Sequence, residues 1–438
     1  MTRIGTVANL FHMQKPEGIS QLVEHLFRHE SAKMVATLTR IFGIEHWNLA
    51  EDVVQEALAR ALETWPYRGV PENPSAWIMR ASRNLALDVI RRQNVFRGKE
   101  PEIAHLIENS RSPLLEADIF LENEIGDDRL RMMFVCCHPI IAPEAQVALT
   151  LKTLCGFSIT EISRAFLTTE AAIAKRLTRA KQKIQEAQVP FEIPAGDELT
   201  RRLDSVLQSV YLLFNEGYKA STGDKLVREE LCHEAIRLTE LLAQHPAGNQ
   251  PKTHALLALM LLNAARTSAR EDNQGNLLRL EEQDRTRWDQ PMIELGMSHL
   301  RESAAGEAVS EYHLQAGIAA CHATAKDYSL TNWGRILSLY DRLMEFDDSP
   351  VIALNRAVAI ANFHGPEAGL EAVRAIKDHE KLASYYLFYS VIGELAMRMN
   401  NREAAAEQFR KAFELADTKS ERAFLLKRLH HCRADVGQ

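Results

Sequence analysis

The sequence predicts an all-α protein: two small helical modules, the second with a helix-turn-helix, followed by a long helical-repeat domain. Apolar residues recur at i+3 and i+4 spacing along the chain. Ser/Thr/Asn capping signals stand at the expected helix starts. The second half is alanine-dense and punctuated by short turns, the composition of stacked helix pairs.

The totals bound the function. At 438 residues there is room for roughly two to four domains. The formal charge of −7 is unevenly spread. Up to Pro190, 23 Lys/Arg balance 23 Asp/Glu, which leaves 29 against 36 of the totals 52 and 59 beyond it. Nucleic-acid contact therefore belongs to local patches of the first half. The cysteines at 136, 137, 155, 232, 321 and 432 lack zinc-site spacing and read as reduced core thiols. No metal and no cofactor is expected. The segment MTRIGTVANLFHMQKPEG has no sustained apolar core, and no run suits a membrane span. The expectation is a cytoplasmic chain without a membrane partner.

Residues 1–28 read as an extension with one helix from Ile19. The first module covers 29–97. Asn48-Leu49-Ala50-Glu51 resembles a capping box, after which Leu49, Val53, Ala57, Ala61 and Trp65 repeat at i+4. The other face carries Glu51, Asp52, Gln55, Glu56, Arg60 and Glu63. On charge alone this is an ordinary solvated surface; a mostly acidic face also suits docking on a basic partner.

Pro66 is expected to end that helix, and Asn73-Pro74 to cap the next. Ser75 to Lys99 holds six Lys/Arg and one Asp. Arg80, Asn84, Leu87 and Arg91 align on one face with Arg83 beside them, while Ile78, Leu85 and Val89 supply a packing stripe. Trp77 and Phe96 bracket the basic face. Cations for phosphate and aromatics for unstacked bases suit melted or single-stranded DNA. Trp65 reads as core; for Trp77 core and base-stacking roles weigh equally.

Residues 98–128 carry nine Asp/Glu against Lys99 and Arg111, an acidic linker. The second module, 129–190, contains SITEISRAFLTTEAAIAKRLTRAKQK, Ser158 to Lys183. Ser158 and Glu161 form an S-x-x-E capping box. Thr168 or Thr169 caps a second helix in which Ile173, Leu177, Ala180 and Ile184 form one stripe. Ala172, Lys175, Arg176, Arg179 and Lys183 lie mostly opposite. From Arg164 to Lys183 there are six Lys/Arg and one Glu. Charge, caps and turn agree on a DNA-binding helix-turn-helix.

Residues 191–438 are helical throughout, with helices expected over 199–213, 227–243, 254–270, 312–325 and 333–345. The best match to a tetratricopeptide unit is Tyr389, Ile392, Gly393, Ala396, Ala405, Phe409 and Ala412, and a weaker unit sets Ala368 in the place of Ala405. Asn215-Glu216-Gly217-Tyr218, Arg266 with Arg270, and Glu281 to Arg285 with Trp288 read as inter-helix ion pairs and caps, or as the lining of a partner or ligand groove. No Ser-His-Asp, H-E-x-x-H or P-loop pattern appears, so no enzyme is expected.

The first half resembles an extracytoplasmic-function (ECF) RNA polymerase sigma factor, on the motifs LAEDVVQEALARALETW, AWIMRASRNLALDVIRR and FSITEISRAFLTTEAAIAKRLTRAK in that order. The resemblance implies sigma domain two over 29–97 and sigma domain four over 129–190. It implies that Asp52, Gln55 and Glu56 dock on core polymerase, whose clamp and flap would be partners with promoter DNA. It assigns Trp77, Arg80, Arg83, Asn84 and Arg91 to the minus-10 element. To the minus-35 element it assigns Ala172, Lys175, Arg176, Arg179 and Lys183. In place of the family's Thr-Val-x-Ser-Arg-Leu the recognition helix reads Ala172-Ile173-Ala174-Lys175-Arg176-Leu177, which exchanges two hydroxyls for a methyl and a lysine. The second half is similar to the tetratricopeptide-like extension of one subgroup, on LFNEGYKAS, EAIRLTELLA, LLALMLLNAAR, EEQDRTRWD and PVIALNRAVAIA. This implies regulation in cis, with an unknown protein or ligand as the extension's partner. The alternative is a helix-turn-helix regulator with a helical-repeat sensor, binding duplex DNA without core polymerase; a scaffold with a vestigial first half is weaker.

Overall fold

Ser158 and Glu161 cap each other. The Ser158 N–H and hydroxyl donate to Glu161 Oε2 at 2.8 and 2.7 Å, and the Glu161 N–H returns a bond to Ser158 Oγ at 3.1 Å. Thr169 Oγ1 accepts from the Ala172 N–H at 3.2 Å, and Asn73 Oδ1 from the Ala76 N–H at 3.0 Å. The helix starts read from the sequence at these points are therefore made by the side chains expected to make them.

The computed structural model describes residues 19–97, 122–218, 228–272 and 277–433, apart from 21, 24, 25, 28, 29, 167, 307 and 417. It is an all-α chain: among the described residues there is no strand, only an isolated bridge between Glu271 and Leu277. No described helix is long and apolar enough to cross a membrane. The chain divides into two units, one of residues 1–163 and 168–209, the other of 164–167 and 210–438.

The first unit holds α1 (Ser31–Phe42), α2 (Trp47–Arg68), α3 (Pro74–Arg97), α4 (Glu122–Cys136), α5 (Pro143–Leu154), most of α6 (Ile159–Ala165), α7 (Glu170–Glu186) and the start of α8 (Gly196–Tyr218). Ile19, Val23 and Leu26, on the helix expected before α1, are buried. Helix α1 packs against α2 and also against α4 and α5. The two modules expected to stand apart on an acidic tether are thus packed into one body. Asp128, counted in the linker, is 1% exposed and paired with Arg40 at 2.9 Å and Arg131 at 2.7 Å. Two guanidinium partners offset the desolvation of that carboxylate. Helix α4 begins at Glu122, earlier than expected. The rest of the linker, 98–121, lies outside the described residues, as does the side chain of Phe96.

Three further expectations are corrected. Helix α2 starts at Trp47 without a side-chain cap, so Asn48 lies inside it. It runs through Pro66 to Arg68 and stops at Gly69, whose φ of +81° leaves the helical region. In its last turn Pro66 forfeits a single backbone bond, which the helix tolerates. On α3 the buried stripe is Ile78, Ser82, Ala86 and Ile90 with Met79, while Leu85 and Val89 flank it half-buried. The first unit also extends past residue 190. Arg202 donates to the Phe134 carbonyl at 2.7 Å and pairs with Glu198, and the Ser209 hydroxyl donates to Gln146 Oε1 at 3.0 Å.

The second unit is built around α10 (Pro251–Ala264), buried from Ala255 to Leu262 on every face and therefore a core helix. Against it pack α9 (Glu229–Gln244), α11 (Gln290–Ser303) and α12 (Glu311–Thr324). Next come α13 (Trp333–Phe346), α14 (Pro350–His364), α15 (Pro366–Arg374), α16 (Tyr386–Arg398), α17 (Arg402–Leu415) and α18 (Lys419–Arg433), each packed on its successor. At the expected repeat match, Phe409 is fully buried and a Cβ on Gly393 would lie 2.8 Å from its ring. In the weaker unit the buried small residue is Gly369, against Ala361, one place after the half-buried Ala368.

Candidate nucleic-acid interface

Helix α7 is strongly amphipathic. Ile173, Leu177, Ala180 and Ile184 are buried, as their spacing requires. Ala172, Lys175, Arg176, Arg179 and Lys183 line one open groove of about 710 Å³ with Ile141, Ala142, Ala145, Gln182 and Glu186. Lys175, Arg179 and Lys183 are exposed and Arg176 is half-buried. The structure therefore brings all five residues proposed from the sequence to one open, mostly cationic groove.

Helix α3 offers a second basic surface. Arg80, Asn84 and Arg91 are exposed along one face, and Arg83 is half-buried beside them. Arg91 makes a loose surface pair with Asp88, at 3.7 Å. Trp77 stands edge-on to the buried Trp65, ring centroids 5.6 Å apart at 67°. It is half-buried, so part of the indole is accessible. Of the aromatics upstream, Tyr67 is 90% exposed.

The acidic face of α2 is open. Asp52, Gln55 and Glu56 are exposed, and Glu56 is paired with Arg60 at 3.0 Å. Beside Gln55 lies a largely apolar groove of about 470 Å³ lined by Val23, Phe27, Leu58, Ala59 and Leu62 together with Ser20 and Lys152. Leu62 is 44% exposed there. An acidic rim beside an apolar slot has the anatomy of a protein-docking surface.

One cation was miscast. Lys181, counted among the basic residues of α7, is 8% exposed and faces inward. Its Nζ lies 2.5 Å from Glu51 Oε2, 3.4 Å from Asn48 Oδ1 and 5.1 Å from the centre of the Trp47 ring. The contact joins α7 of the second module to the start of α2 in the first. Its position four residues after Leu177 puts it on the buried stripe, the one signal in the sequence that could have revealed it.

In the second unit the unusual polar groups mostly satisfy one another. Arg266 donates to Tyr218 Oη at 2.7 Å, and Arg270 donates to the Tyr218 carbonyl while lying 4.1 Å over its ring. Burial alone would raise the Tyr218 phenol, but the two guanidinium groups outweigh it and hold it below its usual pKa. Arg285 lies 4.5 Å over Trp288 and donates to the carbonyls of His322 and Ala325, both at 2.6 Å. Burial, with Arg266 and Arg285 nearby, lowers His322 to about 3. Arg266 and His322 also line a groove of about 490 Å³ with Tyr211, Gln315 and Tyr340.

Comparison with known proteins adds to this geometry. Residues 26–95 match sigma-70 region 2 and residues 131–184 match sigma-70 region 4. Residues 202–304 match a family of unknown function, DUF6596. The chain is 38% identical over 390 residues to a Rhizobium meliloti (strain 1021) protein described as "Uncharacterized protein R00370", covering 89% of this chain and 91% of that one. No solved structure matches.

Proposed function

Because the chain belongs to one family with the Rhizobium meliloti protein and is a sigma factor carrying sigma-70 regions 2 and 4, we propose a division of labour among its three exposed surfaces. It is of the extracytoplasmic-function type. Helix α2 docks on core polymerase through Asp52, Gln55 and Glu56, with the apolar groove beside Gln55 receiving a partner side chain. Helix α3 holds the minus-10 element: Arg80, Arg83 and Arg91 engage the backbone, Asn84 a base, and Trp77 stacks at the edge of the melted duplex. Helix α7 enters the major groove of the minus-35 element with Lys175, Arg176, Arg179 and Lys183, Ala172 lying close to the bases. The observation that carries this reading is the pair of exposed cationic faces, one on each matched sigma-70 region.

The closed first unit adds a requirement. The two promoter elements are about 25 base pairs apart, roughly 85 Å of duplex at 3.4 Å per pair. A folded body of about 200 residues is only about 40 Å across. The modules must part before α3 and α7 can occupy both elements. The 24 residues between Arg97 and Glu122 reach roughly 80 Å when fully extended, so the covalent tether permits it. Breaking the Lys181–Glu51 pair is part of that opening. Residues 210–438 regulate it in cis, as a tetratricopeptide-like array whose helix pairs approach closely at small residues such as Gly393.

Purified chain added to core polymerase should yield promoter-specific transcripts without ATP hydrolysis for opening. Asp52→Arg should abolish them through lost core binding, and Trp77→Ala should slow melting while core binding persists. Transcription unaffected by both changes, with tight duplex binding by the free chain, would instead identify a regulator that works without core polymerase.

A further inference from the structure

We propose that the second unit holds a zinc-class divalent metal ion between α10 and α11, bound by His254, His299 and Glu302 with water completing the shell. The three donor atoms face a common point. His254 Nδ1 lies 2.9 Å from His299 Nδ1 and 3.3 Å from Glu302 Oε2, and His299 Nδ1 lies 3.7 Å from the same oxygen. Zinc with bonds of about 2.0–2.1 Å sets tetrahedral ligands roughly 3.3–3.4 Å apart. The observed edges bracket that spacing, and a point about 1.9 Å from all three atoms exists at the centre of the triangle.

The surroundings fit as well as the distances. Asn249 Oδ1 accepts a hydrogen bond at 3.0 Å from His254 Nε2, which must therefore carry the ring proton. That fixes the tautomer with the Nδ1 lone pair aimed at His299 and Glu302, the outer-shell arrangement typical of histidine metal ligands. The His254 side chain is 9% exposed and His299 16%, while Glu302 at 51% opens the site to solvent. The site thus has two largely buried imidazoles at its floor, one carboxylate at its mouth, and a path for entry. Two imidazoles and one carboxylate select a zinc-like ion over magnesium or calcium, which prefer oxygen shells.

The site lies inside the stretch 202–304 that matches the family of unknown function. It joins the core helix α10 to α11, so occupancy would clamp two helices that pack against each other. Cysteine spacing, the basis for expecting no metal, carries no information about it. His254 and His299 are 45 residues apart, and only the fold brings them together.

The test uses the full chain, stripped with a chelator and titrated with zinc chloride at neutral pH by calorimetry against a competing dye. One equivalent should bind with a dissociation constant at or below about 1 µM. His299→Ala should weaken binding by about 100-fold, and Glu302→Gln and Asn249→Ala by about tenfold each. Cobalt substitution should give the visible absorption of a four-coordinate site, lost in His299→Ala. Cys321→Ser, which removes the half-exposed thiol, should change nothing. Glu302 is half-exposed, so its variant folds and isolates ligand loss from core damage. Binding no tighter than about 10 µM in the parent chain, or equal affinity in His299→Ala, Glu302→Gln and the parent, overturns the proposal.

Discussion

Removing the Lys181 ammonium should open the first unit. In Lys181→Ala, Glu51 stays in a pocket where its side chain is 16% exposed and where Oε1 has no hydrogen-bond partner among the described residues. Stripping one partner from a fully enclosed ion pair costs about 3–5 kcal/mol. Here both side chains keep some water contact, and Glu51 is rehydrated once the modules part. The penalty falls on the closed form alone, at about 1–3 kcal/mol, a shift of about 5- to 150-fold toward opening. Spin labels at Glu63→Cys and Gln182→Cys, both exposed positions, in a Cys321→Ser background would report the separation as a distance distribution. The parent chain should show a short-distance population and the variant a populated long-distance component. Apparent affinity for core polymerase should tighten by a similar factor, because less closed form must be reversed before loading. Arg60→Ala serves as the control, since its pair with Glu56 is about half-exposed and contributes less than about 1 kcal/mol. An unchanged distance distribution in Lys181→Ala, or weaker core binding, would refute the reasoning.

Charge reversal at Arg176 or Arg179 should lower initiation in transcription assays and leave core binding intact. If Arg179 meets a phosphate, Arg179→Ala should also reduce the slope of log affinity against log salt by about one. His322 makes stability depend on pH. Its folded pKa of about 3 lies below the unfolded value of 6.5, so neutral burial stabilises the fold fully above pH 6.5. That contribution is lost progressively as pH falls from 6.5 towards 3, and His322→Gln should flatten urea-measured stability over that window. Gly393→Ala should lower stability by about 1–3 kcal/mol, because the new methyl meets the buried Phe409 ring at 2.8 Å.

Much of this was legible in the sequence because local chemistry decided it. The Ser158–Glu161 box, the Thr169 and Asn73 caps and the Ile173–Leu177–Ala180–Ile184 stripe depend on residues a few places apart, and each stands where the spacing puts it. The failures share a different cause. Asp128 was read as linker and Lys181 was counted in the basic charge of the helix-turn-helix because their partners, Arg40 and Glu51, lie 88 and 130 residues away. For Lys181 only its place on the buried stripe distinguishes it in sequence from a solvated charge. Pro66 misled for a gentler reason: near a helix end the lost backbone bond is one the chain can spare.

Those same long separations bear on the order of events at the ribosome. Region 2 is complete once residue 97 has been made, but Glu51 meets its lysine only after 84 more residues have followed. At about 5–20 residues per second, a nascent chain spends roughly 5–20 s with that face uncovered. During this window newly made protein could engage polymerase before it ever folds shut, so the rate of synthesis itself would contribute to how much of it is active.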